Sequence, residues 1–346
     1  MLWRRPPPGE AATGTEEETA MGEAGTPDTA RGPDAGSAER EEVFERHRRL
    51  LFGVAYDMLG SVHDAEDCVQ ETWISWDRRD RSDVAEPRAY LVRSVSNTAL
   101  NRLRAARARR EAYVGPWLPE PVDTAPDAAQ EVERADEVSY AMLVVLETLG
   151  PVERAVFVLR EVFGLPYAEI GEAVEREEAA VRQIAHRARD RVRRRRPRFT
   201  ADEAERRRLT RRFLEASAVG DVGALKEMLA EDAQLVTDGG GKVRAALHPI
   251  HGAEKCARFM AALGPKYPGI RAEEVAVNGE AGVLLSMPDG ALVGLVVVEV
   301  FQGRFTSLLI QRNPDKLRAF ASAAGRAPRG GEGEASDTLG TDAGGS

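Results

Sequence analysis

The stretch GPVERAVFVLREVFGLPYAEIGEAVEREEAAVRQIAHRARDRVRRRRPR (Gly150–Arg198) decides how this chain is read. Apolar residues recur at helical spacing in Val152, Ala155, Val156, Leu159 and Val162, the stripe of an amphipathic helix facing a core. Gly164 and Pro166 break that pattern. A short helix over 167–174 follows, with Ile170 and Val174 on one face. After a tight polar turn, a longer helix from Ala179 runs into consecutive arginines. Two helices joined by a short turn, the second strongly basic, form the helix-turn-helix arrangement whose second helix lies in the DNA major groove. Val181, Ile184 and Ala188 are expected to pack inward, leaving Arg182, Gln183, His186, Arg187 and Arg189 to face DNA. The tail of Arg191 and Arg193 to Arg196 can neutralise several phosphates, which favours DNA over an ordinary solvated basic helix.

At 346 residues, with domains of about 100–200 residues each, two or three domains are expected. The net charge of -9 argues against nucleic acid only as an average, because the arginines cluster and the acids lie elsewhere. Cys68 and Cys256 are too few for a disulfide framework or a zinc site and fit a reducing cytosol. A cytoplasmic protein without metal or cofactor is therefore expected. No apolar run approaches the roughly 18 residues of a membrane span, so no membrane partner is expected. Residues 1–38 hold little to bury and read as a disordered tail, within which Met21 is an alternative start. No apolar segment of a secretion signal follows the first arginines.

Order is expected from Glu39. Phe44, Leu51, Val54, Ala55 and Met58 form a helical stripe that ends at Gly60, a C-terminal glycine signal. A second helix lies in SVHDAEDCVQETWISWDR (Ser61–Arg78), with Ser61 or Asp64 as N-cap and acids suited to the helix dipole. Pro87 opens a third, PRAYLVRSVSNTALNRLRAARARR (Pro87–Arg110), apolar early and arginine-laden late. An acidic face with Trp73 and Trp76 suits a protein partner, with core burial of at least one tryptophan as the alternative. Arg102, Arg104, Arg107, Arg109 and Arg110 make a phosphate-tracking face beside a site for unpaired bases, where Tyr90 either stacks or enters the core.

DAEDCVQETWISW (Asp64–Trp76) followed by YLVRSVSNTALNRLRAARARR (Tyr90–Arg110) resembles region 2 of a bacterial extracytoplasmic-function sigma factor, and the opening stretch resembles its region 4. The resemblance implies that Asp64, Glu66, Asp67, Gln70, Glu71 and Trp73 dock on the clamp of core RNA polymerase. It implies that Asn97, Asn101, Arg102, Arg104 and Arg107 melt and read the −10 element of promoter DNA. Asn97 matches the family's asparagine, whereas Asn101 stands where aspartate is common. The helix carrying Arg182, Gln183, His186, Arg187 and Arg189 would read the −35 element. One departure lies in the turn, where Glu175, Glu177 and Glu178 replace a glycine, a Ser or Thr cap and a following proline. Acids there suit the dipole but stand where phosphate would approach, so weaker or more selective −35 binding is expected.

Residues 111–139 are an acidic linker by composition, interrupted by YVGPWLPEP (Tyr113–Pro121), a pre-extended segment suited to docking. Past Arg198, two helices carry Leu209, Phe213, Leu214 and Ala218, then Val222, Leu225, Met228 and Leu229. Strands are expected over 234–237, 243–247, 270–277, 283–287, 291–301 and 305–311, with a helix over 253–263. Helices followed by a curved antiparallel sheet make an α+β cone, similar to the SnoaL-like scaffold. Sigma factors with a fused SnoaL-like domain form a subgroup marked by a WLPEP-type linker, a DGGGK segment and an NPDKL segment. All three stand here as Trp117–Pro121, Asp238–Lys242 and Asn313–Leu317.

The fold class expected is therefore multidomain: an all-α region 2 bundle over 39–110, an all-α region 4 helix-turn-helix over 140–198, a SnoaL-like cone over 204–320 and a disordered tail over 321–346. The resemblance implies control in cis through Trp117, Pro119, Asp238, Gly239, Gly240, Gly241, Lys242, Asn313, Pro314, Asp315 and Lys316. A β pattern follows the glycine run, which excludes a nucleotide loop and favours one presenting Asp238 and Lys242 to another domain. An acid–base pair among His248, His251, Asp232 and Asp238 is weighed and set aside, since the later strands carry no second histidine. A small ligand in the cone stays open. The alternatives are a one-component DNA-binding regulator and a cyclase-like enzyme, neither of which has a use for the region 2 residues.

Overall fold

The computed structural model describes residues 35–78, 84–124, 138–195 and 203–323. The expectations for the terminal tails and for much of the linker lie outside these residues. Three helices, α1 (Ala35–Leu59), α2 (Val62–Asp77) and α3 (Pro87–Glu111), form a first bundle. Ser61 caps α2 by accepting from the Asp64 N–H, and Pro87 opens α3, where its missing N–H costs nothing. A second helical unit comprises α4 (Tyr140–Leu146), α5 (Pro151–Phe157), α6 (Tyr167–Val174) and α7 (Glu178–Arg195). The amphipathic helix expected after Gly150 is α5 continued by a π-helical turn over Val158–Val162.

The two helical units share one core. Leu51, Met58 and Leu91 of the first pack in the same cluster as Val156, Leu159, Ile170 and Val181 of the second, all essentially without exposure. Burying such a side chain contributes about 1.5–3 kcal/mol, so the packing between the two units adds to the stability of this arrangement.

The remainder is a six-stranded sheet with α8 (Glu203–Val219), α9 (Val222–Met228) and α10 (Ala253–Leu263) on one face and α11 (Arg318–Ala323) at the other. The strands are β1 (Leu229–Asp238), β2 (Ile250–His251), β3 (Arg271–Val277), β4 (Glu280–Ser286), β5 (Leu292–Phe301) and β6 (Arg304–Gln311), in the order β2-β1-β6-β5-β4-β3. Two details differ from the sequence reading. The sheet is mixed, because β1 and β6 pair in parallel. The chain leaves β1 through α10 and returns at the far edge, and the β3–β6 meander brings the last strand back alongside the first, running the same way. Residues 243–247 are a loop instead of a strand. There the Ala246 N–H is bonded by the Thr237 hydroxyl and the Arg244 carbonyl by Arg312, so side chains replace a ladder. The strand at this edge is the two-residue β2, paired with Gln234 and Leu235.

Candidate functional site: nucleic-acid interface and interdomain clasp

The acidic face of α2 divides in two. Asp64, Asp67 and Glu71 turn toward Arg102 of α3, which bonds Asp67 at 2.9 Å, lies 3.6 Å from Asp64 and pairs with Glu71. Glu66 and Gln70 stay exposed on the outer side. Trp73 is half-buried with its ring 5.0 Å from that of Phe44, while Trp76 is core and donates from its indole N–H to the Arg40 carbonyl. On α3, Asn97 is half-buried, and exposed Asn101 accepts from Arg104. The side chain of Arg107 lies outside the described residues. The Tyr90 ring lies tilted at 5.7 Å from that of Trp76, partly buried against the core.

On α7, Val181, Ala185 and Ala188 are buried and Ile184 is half-buried. The outward residues are partly engaged within the molecule: Arg182 pairs with Glu178 and lies over the Tyr167 ring, His186 faces Asp190, and Arg189 faces Glu161. Gln183 and Arg187 are exposed, with no ion pair among the described residues. The helix-turn-helix corner shows what the unusual acids do. Glu175 ends α6 in the left-handed conformation (φ 56°), the position glycine usually takes. Glu178 lies in the first turn of α7, where its charge suits the dipole.

The two helical units contact one another. The N-terminal half of α3 lies against α6, with Arg93 paired to Glu172 across the boundary, and Phe163 reaches Gly53 of α1. Beneath, Glu147 binds both Arg110 of α3 and Arg154 of α5. Arg154 is 1% exposed and also donates to the Asp57 carbonyl, and Arg110 donates to the Leu59 carbonyl.

The linker lies between this body and the cone, held at both ends. Asp238, with no exposure at the end of β1, accepts from the Tyr113 hydroxyl at 2.6 Å, the Leu118 N–H at 2.9 Å and the Lys316 ammonium at 2.7 Å. Lys316 also donates to the Leu118 carbonyl and sits 4.0 Å from the Trp117 ring, which Arg110 also approaches at 3.7 Å. Burial lowers the Lys316 pKa, the Asp238 charge opposing it. Asn313 donates to the Tyr113 hydroxyl, and the Pro119 carbonyl accepts from Tyr140 and Gln311. Gly240 and Gly239 close the turn over this cluster. A methyl at Gly240, whose φ is +61°, would lie 2.3 Å from the Asn313 amide. Gly241 approaches Val114 in the same way. Lys242, by contrast, pairs with Asp315 inside the cone, beyond the turn begun by Asn313 and Pro314.

Farther along, the linker runs beside the cone's sheet edge. Asp123 bridges to Val277, the Thr124 N–H reaches the Ala276 carbonyl, and Val122 exchanges bonds with Asn278. Asn278 also donates to the Tyr56 hydroxyl of α1, itself bonded to the Glu120 carbonyl. The Glu120 carboxylate caps α2 through the Val62 N–H at 2.9 Å. From the cone, Glu280 takes the Ser139 hydroxyl and the Ala141 N–H at the start of α4, and burial raises its pKa. Gly60, at φ +64°, carries no side chain because one would meet Trp117 at 3.1 Å.

Sequence reasoning reached Leu118 and Glu120 only as part of the WLPEP segment and did not single out Asn278, Glu280, Gln311, Glu147 or Arg154. Asn278 before Gly279 was the nearest signal, since Asn-Gly marks a turn, but a turn does not announce a contact. His248, His251 and Asp232 are exposed, and Asp238 is consumed by the clasp. Among the described residues no helix is long and apolar enough to cross a membrane.

Residues 43–109 match the Sigma-70 region 2 family and residues 140–192 match Sigma-70 region 4. The chain is 37% identical to the ECF RNA polymerase sigma factor SigJ of Mycobacterium tuberculosis over 303 residues, covering 84% of this chain and 97% of that relative. It is 36% identical to a probable ECF RNA polymerase sigma factor, SigI of the same species, over 190 residues, 54% of this chain and 66% of that one. The crystal structure of SigJ superposes with a TM-score of 0.63 at 32% identity, covering 82% of this chain and 98% of that chain.

Proposed function

The chain belongs to the extracytoplasmic-function RNA polymerase sigma factors with a fused SnoaL-like C-terminal domain, and from that premise we propose that its linker and cone restrain it in cis. Its function is promoter-directed transcription initiation with core RNA polymerase, which we place in the cytoplasm. The matches to region 2 and region 4, in order along one chain, speak against a one-component regulator, which needs no region 2. We assign no catalytic role to the cone.

The residue roles follow from the surfaces. Glu66, Gln70, the exposed part of Glu71 and the edge of Trp73 are open to the polymerase clamp, while Asp64, Asp67 and Glu71 hold Arg102 and so fix α2 against α3. Asn97, Asn101 and Arg104 on α3 serve the −10 element. Gln183 and Arg187 lead on α7 at the −35 element, with Arg182, His186 and Arg189 freed when DNA competes for them.

One observation carries the restraint: α3 and α6 are in contact. Promoter elements about 25 base pairs apart lie roughly 85 Å apart at about 3.4 Å per base pair. Region 2 and region 4 must therefore separate to occupy both. The clasp of Asp238, Lys316, Trp117 and Leu118, together with Asn278 and Tyr56, adds to what must break. Run-off transcription with core polymerase tests both layers. The full chain should support initiation at its own promoter, and a chain ending near Phe199 should change that activity while still binding core. A chain that binds promoter DNA but never supports initiation contradicts the sigma reading, and unchanged transcription after truncation contradicts the restraint.

A further inference from the structure

Between α8 and strands β3 to β5 lies a cavity of about 370 Å³, apart from the clasp and from the helical body. Its floor is apolar: Val283, Val296 and Val298 belong to the core of that sheet face. Its rim is cationic, with Arg206, Arg207 and Arg211 of α8 against Glu215 and Glu274. Glu274 is shared by Arg207 and Arg211 at 3.5 Å each, and the contact to Arg211 is a long one on an exposed side chain, so Arg211 is not saturated by it. The Nε–H of Arg206 is buried with no hydrogen-bond partner among the described residues. A buried unpaired donor of this kind costs on the order of 1–3 kcal/mol, more when charged, and an anion relieves it. The volume lies in the range of small-molecule sites, which pair an apolar wall with a few placed polar groups.

We propose that this cavity binds a small organic acid, an aliphatic or aryl carboxylate whose head meets Arg206 and Arg211 and whose body lies on the valine floor. Thr210 supports the head group, because its hydroxyl donates to the Arg206 carbonyl and leaves its lone pairs free to receive a bridging water.

The test uses the full chain with labelled valine and leucine methyl groups, titrated with octanoate and, separately, with 1-octanol. Octanoate at millimolar concentration should saturably shift the methyls of Leu214, Val283, Val296 and Val298. Arg206→Gln should weaken octanoate about tenfold, the loss of one charge-assisted bond, while 1-octanol changes less than about twofold. Arg211→Gln is the second variant and should weaken octanoate in the same sense. Absence of pocket shifts with octanoate overturns the proposal, as does equal affinity for 1-octanol or unchanged octanoate affinity in both variants. None of these readouts depends on transcription, so the result stands apart from the sigma reading.

Discussion

Replacing Lys316 by methionine is the sharpest perturbation of the clasp. The substitution keeps most of the apolar stem and removes the ammonium, which bonds Asp238 at 2.7 Å and the Leu118 carbonyl at 2.6 Å and lies over Trp117. Breaking a buried ion pair costs roughly 3–5 kcal/mol. Asp238 keeps donors from Tyr113, Leu118 and Gly240, so the lower end applies. Of this, the bond to Leu118 and the contact with Trp117 join cone to linker, while the bond to Asp238 lies within the cone. The linker-directed share is about 2 kcal/mol, from one charged hydrogen bond and one cation–π contact. That shifts the balance between clasped and open forms about 30-fold. Run-off transcription should rise, core binding should persist, and chymotrypsin should cut faster after Tyr113 or Trp117. Lys242→Met is the control, since its pair with Asp315 is at the surface and contributes little. If Lys316→Met leaves transcription and linker cleavage at control levels while the cone stays folded, the clasp does not restrain the domains.

Three further outcomes follow from the same contacts. Burial, reinforced by the Glu280 charge, lifts the Glu299 carboxyl from 4.5 to about 7. The folded chain then holds an extra proton between those values, so the contribution is complete below 4.5 and lost as pH rises through 7. About 2 kcal/mol should disappear between about pH 5.5 and 7.5 in urea unfolding, and Glu299→Gln should remove that share; parallel slopes for both chains contradict the assignment. Glu175→Gly should stabilise the helix-turn-helix by about 1 kcal/mol, because glycine adopts a positive φ without strain; no gain in thermal midpoint contradicts the corner geometry. Asn278→Gly keeps the turn (φ 50°) and the backbone bond to the Val122 carbonyl but loses the side-chain bonds to the Val122 N–H and the Tyr56 hydroxyl, so the linker should be cleaved about tenfold faster; unchanged cleavage places the hold elsewhere.

What was legible in the sequence was whatever repeats with a period. Helical stripes located α1 to α3 and α5 to α7, because one buried face writes itself into every third or fourth residue. The glycine and NPDKL segments were visible as turns, and their spacing was read through the family resemblance. What stayed hidden was pairing at long range. Nothing local marks Lys316 as the partner of Asp238, 78 residues away, or Asn278 as that of Tyr56, 222 residues away. Arg102 read as one of a row of phosphate contacts, yet three acids of α2 lie around it. Val243–Leu247 has strand composition, and side-chain bonds from Thr237 and Arg312 overrode it.

The central claim is that the free chain holds its DNA-reading domains closed through the linker and cone. Spin labels at exposed positions on α1 and α6, through Glu45→Cys and Ala168→Cys, read that distance directly, since Cys68 and Cys256 are buried and stay unlabelled. The account predicts one short, narrow distance in the free chain, a second longer population with Lys316→Met, and only the longer one in complex with core polymerase and promoter DNA. A single unchanged distance in all three samples would contradict it.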